Sequence, residues 1–155
     1  MSVAVTLANA IVNRLNSVTF SQRFTATRRI VPFMKPDDAA LHSVQVYVLA
    51  NTRKAERRTR HDFARMYKPI VVVQKRLTAG ADEAIETDEV DDLQTLVEEI
   101  EEALEDEDYI ANQLPPALQL SFVGFDEEQD RDAYGLEAMK DHRVFATAIT
   151  LEYTT

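Results

Sequence analysis

Tyr67-Lys68-Pro69-Ile70-Val71-Val72-Val73-Gln74-Lys75-Arg76 sets four β-branched residues in a row, Ile70 to Val73, between polar ends. A strand that alternates apolar and polar residues has one dry face, whereas an unbroken apolar run has two. Residues 67–76 therefore read as a central strand covered on each side. Upstream, Val44, Val46 and Val48 alternate with Gln45, Tyr47 and Leu49, so residues 43–49 form a second strand. The two make a long hairpin, and residues 51–62 read as the loop at its tip. That loop is basic, with Arg53, Lys54, Arg57, Arg58 and Arg60.

Working outward, Val3, Leu7, Ile11 and Leu15 recur every four residues with Ala4, Ala8 and Val12 beside them. This is the apolar stripe of a first helix that ends near Asn16-Ser17, with Asn9, Asn13 and Arg14 on the opposite side. Phe20, Phe24, Ala26 and Ile30 sit at even spacing, which predicts a strand over residues 20–30, and a proline-containing loop follows at 32–38. Beyond the polar connection 77–86, Thr87 or Asp88 is placed to cap a second helix, with Asp88 and Glu89 at the positive end of its dipole. Val90, Leu93, Leu96, Val97, Ile100, Ala103 and Leu104 form its stripe, and the remaining face is strongly acidic, including Glu98, Glu101, Glu102 and Glu105. Leu114-Pro115-Pro116 breaks the chain. Residues 117–125 alternate as a fourth strand, 126–143 form a charged loop, and Phe145, Thr147, Ile149, Leu151 and Tyr153 mark a last strand.

The order helix, three strands, helix, two strands predicts a single α+β domain over residues 1–155. Its sheet is five-stranded, mixed or antiparallel, with both main helices on one face. The second sheet face then needs a cover, for which a neighbouring subunit is the expected source.

Composition narrows the classes. The chain has 155 residues, 45% hydrophobic and 28% charged, which suits one globular domain. No apolar run approaches the roughly 20 residues of a membrane span, and no basic-then-apolar leader opens the chain, so secretion is not expected. Cysteine is absent, which removes disulfides and thiolate metal sites. Charge is strongly segregated: residues 1–76 hold 14 Lys/Arg against 4 Asp/Glu, and residues 77–155 hold 3 against 23. No Lys or Arg occurs between Leu77 and Asp130. Such a division marks surfaces for different partners or two halves of one self-complementary contact. The net charge of −10 argues against a dedicated DNA-binding protein.

Signals for chemistry are few. His42, His61 and His142 stand far apart and lack zinc spacing. The acids of 82–108 lack the order of an EF-hand loop. Pro36-Asp37 opens like a nuclease carboxylate motif, but the acid expected on the following strand is missing. Phosphate-cradling glycine loops and a nucleophile elbow are absent. The expectation is a protein that is not an enzyme and takes no cofactor or metal. The five cations of the basic loop then suit phosphate or an acidic protein surface, and a ring of identical copies can set that loop against the acidic helix of the next copy.

Phe24 through Arg28-Arg29-Ile30-Val31-Pro32, then Leu41-His42-Ser43-Val44-Gln45-Val46-Tyr47-Val48, the Arg-rich loop, and Val71-Val72-Val73-Gln74-Lys75 follow one another in this layout. With the acidic helix from Leu93 to Leu104 and the closing strand from Phe145 to Tyr153, the pattern resembles the tail terminator (tail completion) proteins of tailed phages. It extends over about residues 2–153. The resemblance implies a structural virion protein that forms a homo-oligomeric, hexameric ring, caps the tail tube and joins it to the head-side connector. Implied partners are further copies of itself, the tail tube protein and the neck proteins. DNA would pass transiently through the lumen, and no membrane is involved. The implied location is the virion, after assembly in the host cytoplasm. The basic loop and Glu98, Glu101, Glu102 and Glu105 are the expected contact residues. A head-completion or connector protein is the neighbouring alternative, and a small nucleic-acid-binding or regulatory module is the alternative of another class.

Overall fold

The computed structural model describes residues 2–30, 34–35, 38–50, 53–57, 63–78, 87–115, 120–126 and 143–155. Its elements begin with α1 (Val3–Ser17), β1 (Thr27–Arg29), a 3-10 turn (Ala39–His42), β2 (Gln45–Leu49) and β3 (Arg53–Arg57). They continue with β4 (Phe63–Tyr67), β5 (Ile70–Arg76), α2 (Thr87–Leu104), α3 (Glu107–Gln113), β6 (Ser121–Phe125) and β7 (Val144–Thr154). The fold is α+β with a mixed sheet: β1 and β2 are parallel, and every other described pair is antiparallel.

The hydrogen-bonded path β1-β2-β5-β7-β4-β3, with β6 also on β7, simplifies once the registers are followed. β4 and β5 face β7 in one uninterrupted register, from Met66↔Thr154 through Ile70↔Thr150 to Arg76↔Val144. Only Lys68 and Pro69 interrupt it. Pro69 has no N–H to offer, but its carbonyl still accepts from the Leu151 N–H at 3.0 Å. β2 and β3 likewise continue each other, with a shift of one residue between Leu49↔Ile70 and Arg53↔Tyr67. The seven strands are thus five ribbons side by side: β1, β2–β3, β4–β5, β7, β6. The expected count of five strands corresponds to these ribbons.

The expected alternation decides the faces. Val46, Val48, Val71, Val73, Ile149, Leu151 and Tyr153 enter one core with Leu7, Ile11 and Leu15 of α1, Leu93, Leu96, Ile100 and Leu104 of α2, and Ile110 of α3. The helices therefore share one face of the sheet. Burying the four large α2 side chains is worth about 1.5–3 kcal/mol each. That outweighs repulsion of about 0.2–0.5 kcal/mol for each like-charge pair, such as Glu98–Glu102 and Glu101–Glu105, along the helix. An acidic helix is affordable here because tertiary burial holds it.

Four expectations need correction. The second sheet face is covered by the chain itself: Tyr47, Val72, Val144 and Ala146 are buried with no second subunit present, packed with Met34 and with Leu41 of the 3-10 turn. The strand expected over residues 20–30 is confined to Thr27–Arg29. The Ala26 N–H donates to Asn16 Oδ1 at 2.8 Å, and Asn16 Nδ2 donates to the Ala26 carbonyl at 3.1 Å, so groups that a ladder would use are already satisfied. Helix α3 was not expected, because seven residues are too few to show a stripe. Its start is capped by Asp106, whose side chain accepts from the Tyr109 N–H. The basic segment 51–62 was expected to be a loop throughout, yet residues 53–57 are strand.

Candidate docking surfaces

At one end of the sheet the described pairing narrows. β1 stops at Arg29 opposite Leu49, and β7 stops at Thr154 opposite Met66. Past these points the described pairing is that of β3 with β4, Arg53↔Tyr67 to Arg57↔Phe63. Thr155 anchors the base, where its N–H donates to the Arg65 carbonyl at 3.1 Å and its Oγ1 accepts from the Arg65 N–H at 3.0 Å. Among the described residues the result is a two-stranded arm. Its strands carry Arg53, Lys54, Arg57 and Arg65, and the Arg65 side chain is exposed. Arg58, Arg60 and His61 lie outside the described residues. RKAER has no alternation to signal a strand; it is one because it prolongs, after a one-residue shift, the hairpin that β2 and β5 begin.

The second surface is the outer face of α2. Asp88, Asp91, Glu98, Glu102 and Glu105 are exposed, while Glu101 is half-buried. Their spacing of three and four puts most of them on one stripe opposite Leu93, Leu96 and Ile100. The last turn has no basic residue of its own, and carboxylates there oppose the helix dipole. Arg14 supplies the missing cation from α1. Its Nε donates to the Ala103 carbonyl at 2.9 Å, its guanidinium pairs with Asp106 at 3.2 Å, and it lies 4.9 Å from the Tyr109 ring centroid. Arg14 was expected on the solvent side; it is instead a half-buried cap for α2.

At the other end of α2, Glu89 binds Lys75 Nζ, and its Oε2 accepts from the Thr78 N–H at 2.9 Å. Burial pushes its carboxyl pKa up, but the hydrogen bonds from Lys75 and Thr78 prevail and hold it below the ordinary value. Lys68 joins Asp126 at 3.1 Å and Glu152 at 3.0 Å beside the Pro69 interruption. The hydrogen bonds to Glu152 and Asp126 push its pKa up.

A buried polar network ties the second sheet face together. Gln74, 3% exposed, accepts from the Met34 N–H and donates to the Met34 carbonyl, both at 2.9 Å. The Tyr47 hydroxyl donates to Gln74 Oε1 at 3.1 Å, and Arg29 lies 5.0 Å from the Tyr47 ring centroid. Burial raises the Tyr47 pKa to about 12, against the opposing pull of Arg29, so the phenol stays a neutral donor. Neither Arg14 nor Gln74 was singled out from sequence, since their partners are far away along the chain.

Sites for chemistry are sparse among the described residues. No group of three or more metal-ligating side chains occurs there. His42 ends the 3-10 turn in an exposed position, and His142 lies outside the described residues. The concavity between Val18 and Thr25, about 570 Å³, has Arg23 as its one titratable lining residue. Among the described residues no helix is long and apolar enough to cross a membrane. No family model matches the chain, and a comparison with curated proteins finds no match.

Proposed function

We propose that this protein is a structural virion component of a tailed phage, a tail terminator whose copies close into a ring of six that caps the tail tube and joins it to the head-side connector. The supporting observation is the β3–β4 arm, which continues past the last described pairs of β1 and β7. An isolated two-stranded ribbon is marginal in water, so an arm of this composition calls for a second surface. A head-to-tail contact that closes by rotation supplies one in every subunit of a ring. The acidic surplus of residues 77–155 suits a lumen through which DNA slides without sticking, because like charges repel phosphate. In this reading the protein makes and breaks no bonds and takes no cofactor. Its partners are itself, the tube protein and the neck proteins.

The test is light scattering after size exclusion, with negative-stain imaging, followed by incubation with tail tubes assembled without heads. Closed rings seated at tube ends are expected. A solitary molecule that ignores tubes would sink the proposal, and recovery on heads made without tails would move the protein to the head-side connector.

A further inference from the structure

We propose that the arm of one copy seats on the exposed acidic stripe of α2 in the next, so that self-association is an arm-to-helix contact of opposite charges. This rests on the reading that copies of the chain assemble, and it names the two surfaces that meet.

Placement and charge carry the inference. Arg53, Lys54, Arg57 and Arg65 occupy register positions of the β3–β4 hairpin that, among the described residues, pair only within it or lie past the end of β7. Glu98 and Glu102 are exposed on α2, and Glu105 directly after its last residue, in a stretch of sequence with no cation from Leu77 to Asp130. Within one chain the two lie on different elements: α2 packs on α1 and β7, while the arm's strands pair with each other and with the end of β7. The complement is therefore available to a second copy, and the contact is heterologous. The dimensions agree. Arg53 to Arg57 spans about 13 Å at about 3.3 Å per residue of strand. Glu98 to Glu105 spans about 10 Å at about 1.5 Å per residue of helix. Several cation–carboxylate pairs can then form together, and arginine's planar fork suits them. Cations on the stripe would also relieve the like-charge repulsion along α2. Nucleic acid is the weaker occupant for the arm, because the chain carries −10 overall.

Two double variants of the full chain test this: Arg57→Glu with Arg65→Glu, and Glu98→Lys with Glu102→Lys. All substituted positions are on the arm or the exposed stripe, and thermal melts by circular dichroism check that each variant folds. Sedimentation velocity is run at about 0.1 M and about 1 M salt, where the Debye length falls from about 10 Å to about 3 Å. The parent should associate at the lower salt and weaken at the higher. Each variant alone should associate at least about tenfold more weakly, since one of its two surfaces is reversed. An equimolar mixture should recover, because native arm then meets native helix and reversed arm meets reversed helix. A mixture as weak as its components overturns the proposal, as does a Glu98→Lys, Glu102→Lys protein that associates like the parent. Rings that persist in both variants leave the assembly reading standing while removing this contact. A parent that stays monomeric at both salts removes both, and salt-sensitive binding of a short DNA duplex by that monomer gives the arm to nucleic acid instead.

Discussion

Gln74 shows how a single side chain stands in for a strand. Its amide meets both backbone groups of Met34, as a neighbouring ribbon would, and also receives the Tyr47 hydroxyl. Asn16 does the same for Ala26. Buried backbone groups left without partners cost about 1–3 kcal/mol each. Gln74→Leu strands the Met34 N–H and carbonyl together, so it should destabilise by about 2–4 kcal/mol in urea titrations. Tyr47→Phe removes one donor and leaves the Gln74–Met34 pair intact, so its loss should be nearer about 1 kcal/mol. Equal losses would show that Gln74 does not hold the segment. Nothing at position 74 of the sequence announces this, because a glutamine at the polar end of an apolar run reads as surface.

At the scale of the element, α2 was the most legible part of the chain. Its stripe of Leu93, Leu96, Ile100 and Leu104 is intrinsic to the sequence, and its acidic outer face follows from the same period. Its two ends were not legible. Arg14 tends the C-terminal carbonyls from α1, and Lys75 with Thr78 clamps Glu89 at the N-terminal turn. Glu89's lowered pKa makes its contribution to stability fully present above its ordinary value of 4.5, and that contribution is lost as the pH falls through the folded-state value. Glu89→Gln should therefore lower the melting temperature at neutral pH, with the gap to the parent narrowing as pH drops below about 4.5. A gap independent of pH would mean that the carboxylate's charge plays no part. The arm is the opposite case. Its basic composition was plain, but its strand character was hidden, since it is imposed by the ladder that β2 and β5 begin.

For the whole molecule, the independence of the arm from the body is testable. Replacing residues 56–64 with Asn-Gly joins Ala55 to Arg65, which already face each other, through a two-residue turn. The expected change in unfolding free energy is within about 0.5 kcal/mol, as for surface changes away from the core. Self-association should be lost, and a body that unfolds several degrees earlier would show that the arm packs where its pairing does not reveal it. The sequence by itself determined the α+β class, the five ribbons and the helix-bearing face, because periods of 2 and 3.6 are local and each element carries its own. It also determined that a basic segment at 51–62 and an acidic helix share one chain. Tertiary structure alone decided that the chain covers its second sheet face, that Met34 finds Gln74 40 residues away, and that Arg14 reaches Ala103 across 89. These depend on where neighbouring ribbons stop and which orphaned backbone groups they leave, and satisfying those groups draws on side chains whose position no local pattern records.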